Sequence, residues 1–168
     1  MTTVQSPIIV LGLVTGLALL GAGPASAAII NVACSESDLR AKMNTANNTD
    51  TLVIPDNCVI KNSSNEAEHD NVEGDFDFTD STNAGADEIT IQGAGPGRSV
   101  IDGNGLDRVF FVANRTLNLV GLTVRNGDAT ANSGSENAGG GALVQNATLT
   151  ATNVVFVNNR GNNGGGIH

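Results

Sequence analysis

The chain is 168 residues long, room for one domain and at most a small second one. With 40% hydrophobic and 15% charged residues it can bury a core, but 21 glycines and 3% aromatics, none of them Trp or Tyr, disfavour both a helical protein and a saccharide cleft lined by aromatic platforms. Eight basic against 17 acidic residues leave a net charge of −9, which repels nucleic acid and anionic lipid, so no nucleic-acid partner is expected.

Residues 1–27 read as a signal peptide. Ile8 to Leu20 is an apolar run without a charge, too short at about 1.5 Å per residue to cross a hydrocarbon core about 30 Å thick. The small-x-small site Ala25-Ser26-Ala27 follows, which places cleavage between Ala27 and Ala28. The leading MTTVQSP carries no side-chain charge, so a buried helix or an uncleaved anchor stays open as the alternative. No transmembrane helix is expected in the mature chain. Export agrees with Cys34 and Cys58: an even count in an exported protein points to one disulfide, closing a loop of about 25 residues and contributing roughly 3 kcal/mol. Two free thiols are the competing reading. A metal site is disfavoured, because the histidines are His69 and His168 alone.

Residues 28–60 form an N-terminal cap. Residues 35–48 read as its helix, with Ser37 as the cap, Asp38 at the positive end, and Leu39, Met43 and Ala46 at helical spacing. Short strands are expected at 51–54 and 58–60. From 61 to 88 acidic residues accumulate, with no basic residue between 62 and 88. This reads first as a solvated, partly mobile loop. A sharper reading is calcium binding through Asp75, Asp77 and Asp80, although the glycine of an EF-type loop is missing. Asp75-Phe-Asp-Phe78 also alternates like a strand with both Phe side chains inward.

Residues 89–168 consist of short apolar runs separated by Gly, Asn and Asp, and these runs repeat. A shift of 32 residues places Phe111-Val-Ala-Asn-Arg-Thr-Leu117 on Leu143-Val-Gln-Asn-Ala-Thr-Leu149, and Leu122-Thr-Val-Arg-Asn126 on Val154-Val-Phe-Val-Asn158. Gly139-Gly-Gly-Ala142 returns as Gly164-Gly-Gly-Ile167 at a shift of 25, the difference lying in the polar connection 128–138. Matching strands with an insertion confined to a loop are the mark of a solenoid. Asn114 then stacks on Asn146 and Asn126 on Asn158. Asn suits left-handed turns and can form a side-chain ladder. Asn114 and Asn146 also match the glycan-acceptor pattern, which the ladder reading outweighs.

The run Gly74-Asp-Phe-Asp-Phe78, Ile89-Thr-Ile-Gln-Gly-Ala-Gly95, Val100-Ile-Asp-Gly103, Asp107-Arg-Val-Phe110, Leu122-Thr-Val-Arg-Asn-Gly127 and the two Gly-Gly-Gly-Ala/Ile returns resembles bacterial exported right-handed parallel β-helix proteins. These have the pectin-lyase-like fold and are similar to polymorphic outer-membrane-protein repeats. The resemblance covers roughly residues 30–168. It implies a secreted or surface-displayed protein, and it carries over no catalytic residue. The repeat also predicts that the solenoid continues past the final Gly-Gly-Gly-Ile-His, as in an N-terminal piece of a longer protein.

Glycoside cleavage needs two carboxylates across a cleft, and Asp102 and Asp107 are the best-placed pair. Yet Asp102-Gly-Asn-Gly105 is also turn chemistry, and Asp107 beside Arg108 reads as a surface ion pair. A lyase base would be Arg108 or Arg125, with calcium carboxylates on a neighbouring coil, but the repeat sets Arg125 opposite Val157 and Arg115 opposite Ala147 with no cluster of acids beside them. Nucleophilic triads and nucleotide-binding loops are absent. The sequence therefore predicts an all-β, right-handed parallel β-helix with a short N-terminal capping helix. It would be exported to the cell surface or outside and serve as a non-catalytic scaffold for adhesion or extracellular binding, with a polysaccharide or a cell-surface ligand as partner. No cofactor is required, calcium being the one candidate. The alternative is the N-terminal part of a polysaccharide lyase or glycoside hydrolase with its catalytic coils beyond residue 168.

Overall fold

The computed structural model describes residues 26–64, 70–131 and 137–168. The apolar leader expected at the N-terminus therefore lies outside the described residues, apart from Ser26 and Ala27. The fold is mostly β, with parallel sheets and one helix. In chain order the elements are β1 (Ile29–Asn31), α1 (Glu36–Thr45), β2 (Thr51–Val53), β3 (Cys58–Lys61), β4 (Phe76–Phe78), β5 (Glu88–Gln92), β6 (Ser99–Asp102), β7 (Phe110–Ala113), β8 (Thr116–Arg125), β9 (Ala142–Gln145) and β10 (Thr148–Val157).

The described strands pair in parallel throughout, and the pairings sort into three stacks. In the first, β1, β2, β5, the first half of β8 and the first half of β10 follow one another. In the second, β3, β6 and the second halves of β8 and β10 do the same. The third holds β4, β7 and β9. The 32-residue repeat is realised in the register, with Leu117 on Leu149, Leu122 on Val154 and Phe111 on Leu143. The shorter shift of 25 is realised as well, because Ala142 bridges Ile167 and Ala138 bridges Asn163. β8 and β10 each bend between their halves at a left-handed residue, Gly121 (φ 60°) and Asn153 (φ 52°). These occupy the same place in the repeat, where Gly or Asn takes that conformation at little steric cost.

Alternation does the rest. Inward side chains Leu52, Ile89, Ile91, Leu117 and Leu119 line the first stack, Ile60, Ile101 and Val124 the second, and Phe76, Phe78, Phe110 and Val112 the third. All are buried in one apolar cluster. Phe76 and Phe110 lie with ring centroids 5.8 Å apart, a tilted aromatic contact. Helix α1 adds buried Leu39 and Met43 to the same cluster. Its N-cap is Ser35, not Ser37: Ser35 is extended (φ −149°, ψ 149°) and its Oγ accepts from the Asp38 N–H. Ser37 is exposed in the first turn, where its hydroxyl is past the capping position. Glu36 and Asp38 stand at the positive end of the helix and Lys42 in its last turn. Cys34 and Cys58 are joined in a disulfide, which ties the segment before α1 to the start of β3.

The acidic segment is not simply a solvated loop. Within it β4 is buried along its whole length, and Asp75 and Asp77 are buried beside its Phe residues. Two arginines are buried as well. Arg108 is 2% exposed, and its guanidinium pairs with buried Asp75 and lies over the Phe111 ring, 5.4 Å from its centroid. The surface position expected for Asp107 and Arg108 is corrected: both residues are interior, and the Asp107 carboxylate accepts the Arg108 backbone N–H at 2.6 Å. Arg40 donates to the Asp75 carbonyl oxygen at 2.7 Å and to the Asn71 side chain at 3.1 Å, with its guanidinium 4.5 Å from the centre of the Phe76 ring.

Two predictions follow from this packing. A Cβ placed on Gly127 would overlap the carbonyl oxygen of Gly140, whereas one on Gly166 meets nothing. Gly127→Ala is expected to destabilise by roughly 1–3 kcal/mol and Gly166→Ala to be near neutral, as measured by urea unfolding. Arg108→Met would leave Asp75 buried without its cation and cost about 3–5 kcal/mol. Adding Asp75→Asn to it should restore part of that loss in the same assay.

Candidate functional site

An open groove of about 620 Å³ runs beside the C-terminal ends of the second stack, lined by Lys61, Asp102, Asn104, Arg125, Asn126, Asp128 and Arg160 among others. The parallel register builds it. Lys61 pairs with Asp102 across β3 and β6, and Asp102 with Arg125 across β6 and β8, so a basic, an acidic and a basic residue alternate on neighbouring strands. A second pair, Asp128 and Arg160, bridges one repeat further along. Opposite charges directly across paired strands attract.

Asp102 is buried at the groove wall. Its Oδ2 accepts from Arg125 Nε at 2.8 Å, and its Oδ1 accepts from Asn126 Nδ2 at 3.0 Å and from the Asn104 N–H at 2.9 Å. Burial pushes its carboxyl up, but the Asn104 amide, Asn126 and Arg125 together hold it below the ordinary carboxylate range. The Arg160 guanidinium holds the Asp128 carboxyl down to about 2, assisted by the Thr130 hydroxyl and amide. Both acids are therefore ionised at neutral pH. Glycoside cleavage calls for a carboxylic acid kept protonated beside its partner, and neither groove carboxylate is held in that state. What the groove offers is a row of hydrogen-bonding groups with three cations, Lys61, Arg125 and Arg160, against two anions.

The residues singled out in the sequence are only partly brought together. Asp102 lines the groove and Asp107 does not. Of the calcium candidates, Asp75 pairs with Arg108, Asp77 exchanges hydrogen bonds with Asn71 at 3.2 Å, and Asp80 lies 3.2 Å from Arg115 Nε. No group of three or more His, Cys, Asp or Glu side chains placed to hold a metal occurs among the described residues. Asn114, Asn126, Asn146 and Asn158 all adopt left-handed backbone conformations. The Asn126 side chain donates to Asp102 and the Asn114 side chain reaches Asp80 at 3.5 Å, so both face carboxylates. The two arginines weighed as lyase residues are ion-paired, Arg125 with Asp102, and Arg115 with Asp80 and Asp87. Asp102 ends β6, and Asp80 and Asp87 lie in the turns between β4 and β5, at spacings that differ from the 32-residue repeat. Ala27 and Ala28 are exposed.

Asp128, Arg160 and Lys61 are the groove residues that sequence reasoning missed. A signal for the first two was present, since Asp128 and Arg160 are opposite charges one repeat apart. No helix among the described residues is long and apolar enough to cross a membrane.

Because the folded Asp128 carboxyl titrates near 2 and its ordinary value is 3.8, its contribution to stability is complete above pH 3.8 and is lost as pH falls through about 2. Arg160 is largely exposed, which limits that contribution to less than about 1 kcal/mol. Arg160→Ala should flatten this acid step in urea unfolding measured across pH 2 to 5 (roughly the carboxylate range). Compared with protein-family models, with curated proteins and with solved structures, the chain finds no match.

Proposed function

We propose that the chain is a length of right-handed parallel β-helix, exported and displayed at the cell surface or secreted, that binds an extended polar ligand without transforming it. The order in which the chain visits its stacks supports the solenoid. It passes through β2, β3 and β4, then β5, β6 and β7, then the two halves of β8 and β9, and then the two halves of β10 and Ile167. Each circuit lays its strands on those of the circuit before. The likeness of the motifs to polymorphic outer-membrane-protein repeats supports display outside the cell.

The observation that carries the binding reading is the ion-paired state of both groove carboxylates. Asp102 and Asp128 each accept from an arginine of the following strand or bridge, so both groove carboxylates are ion-paired, while Lys61 and the amides of Asn104 and Asn126 line the trough beside them. A polysaccharide, or a glycosylated cell-surface ligand, matches such a long polar trough. No cofactor enters this reading. Calcium held by Asp75, Asp77 and Asp80 gains little support, because two of the three face arginines.

The rival reading, a polysaccharide lyase or glycoside hydrolase, draws on one observation: two carboxylates line the same groove. The two are separated by incubating the protein with a panel of purified polysaccharides. Binding to one of them, weakened about tenfold or more by Lys61→Ala or Arg160→Ala with the circular dichroism spectrum unchanged, is the expected result. Release of reducing or unsaturated sugar ends, abolished by Asp102→Asn or Asp128→Asn, would overturn it in favour of the enzyme.

A further inference from the structure

Asp50 is a fully buried carboxylate that none of the groove chemistry uses, and its surroundings are unusual. It is 0% exposed. Its Oδ1 accepts from the backbone N–H of Ala28 at 2.7 Å, and its Oδ2 accepts from the N–H of Asn47 at 2.8 Å and the Asn47 side chain at 3.5 Å. These donors are neutral. By contrast, buried Asp75 has the Arg108 guanidinium and buried Asp102 has that of Arg125. A buried carboxylate with no cation beside it among the described residues carries a large desolvation cost, and Asp50 sits between α1 and β2.

The identity of its first donor supplies the missing charge. Ala28 is the residue placed after the small-x-small site Ala25-Ser26-Ala27. Its carbonyl oxygen accepts from the Thr51 N–H at 2.8 Å, so its backbone is held against β2 while Ala27 and Ala28 themselves remain exposed. We propose that proteolytic processing between Ala27 and Ala28 creates the cation that Asp50 lacks: the new α-ammonium of Ala28 docks on the Asp50 carboxylate and completes the N-terminal cap. In the cleavage, water and a signal-type peptidase break the Ala27 C–Ala28 N bond. The hydroxyl goes to the Ala27 carbonyl carbon, and the amine released on Ala28 takes up protons to become –NH₃⁺. The nitrogen already lies at hydrogen-bond distance from Asp50, so the neutral N–H···O bond becomes a charge-assisted one with no rearrangement of the strand. The proposal rests on the export reading for its peptidase and goes beyond it in assigning Asp50 as the acceptor.

Two measurements separate those parts. N-terminal sequencing and intact mass of the protein recovered from outside the cells should give a chain beginning at Ala28, and a start at any other residue overturns the proposal at its processing step. On that recovered chain, reductive methylation at neutral pH reads the amine, with exposed Lys61 as internal reference. A free α-amine is labelled ahead of lysine because its pKa is lower. Docked on Asp50 it should be labelled about tenfold more slowly than in Asp50→Asn, the ratio that a hydrogen bond to a charged group corresponds to. Should Asp50→Asn fail to fold, a chain extended at its N-terminus by Ser26-Ala27 serves instead, since its amine is carried away from the carboxylate. An α-amine labelled ahead of Lys61, at the same rate in the recovered and the extended chain, would overturn the docking.

Discussion

Parallel hydrogen-bonded pairing between strands distant in sequence is the constraint on which the other features of this molecule depend. In a parallel ladder a residue stands directly above its partner, with side chains of one parity inward and the other outward. Once Leu117 is registered on Leu149 and Ile89 on Leu117, the interior is a set of apolar columns and needs no large aromatic residue beyond Phe. The same register sets Lys61, Asp102 and Arg125 in one row on the outside. The groove is thus a by-product of stacking: charges distant in sequence meet because their strands do. Loop amides extend the ladder, as where Gly103 N–H donates to the Arg125 carbonyl at 2.9 Å and Ala129 N–H to the Arg160 carbonyl at 2.9 Å.

A chain with so little aromatic surface holds its N-terminal half together partly by ionic means. Arg40 and Arg108 enter the interior, each lying against a Phe ring and each bonded to Asp75, through its carbonyl in one case and its carboxylate in the other. Arginine suits this because its guanidinium is weakly hydrated, planar and able to stack. Such pairs contribute modestly to net stability, yet breaking one is costly. They fix where β4, β7 and α1 meet more sharply than apolar contact would.

Much of the strand content was legible because alternation and turn residues are local. Leu39 and Met43 marked the helix, and the 32-residue echo marked which strands would lie together. The echo was blind to the earlier circuits, where Cys58 pairs with Ser99 and Phe76 with Phe110 at other spacings. For that reason the ion pairs of Arg125 with Asp102 and of Arg115 with Asp80 and Asp87 were not legible. The burial of Asp75, Asp77 and Arg108 was hidden too, since a charged residue reads as exposed until its partner is known, and the partner here is more than thirty positions away. The N-cap was misplaced by two residues, because Ser35 and Ser37 are equally suited by type and backbone geometry decides between them.

The unbroken passage of β8 and β10 around the corner at Gly121 and Asn153 has a mechanical meaning. Where sheets are joined by a flexible loop, one face can peel away while the other stays paired. Here a single ten-residue strand belongs to both faces, so its hydrogen bonds on either side of the corner share load as a bracket does. A pull applied at the groove, at the end of the second stack, would be passed through that corner into the ladder of the first. The groove is braced by the width of the sheet behind it.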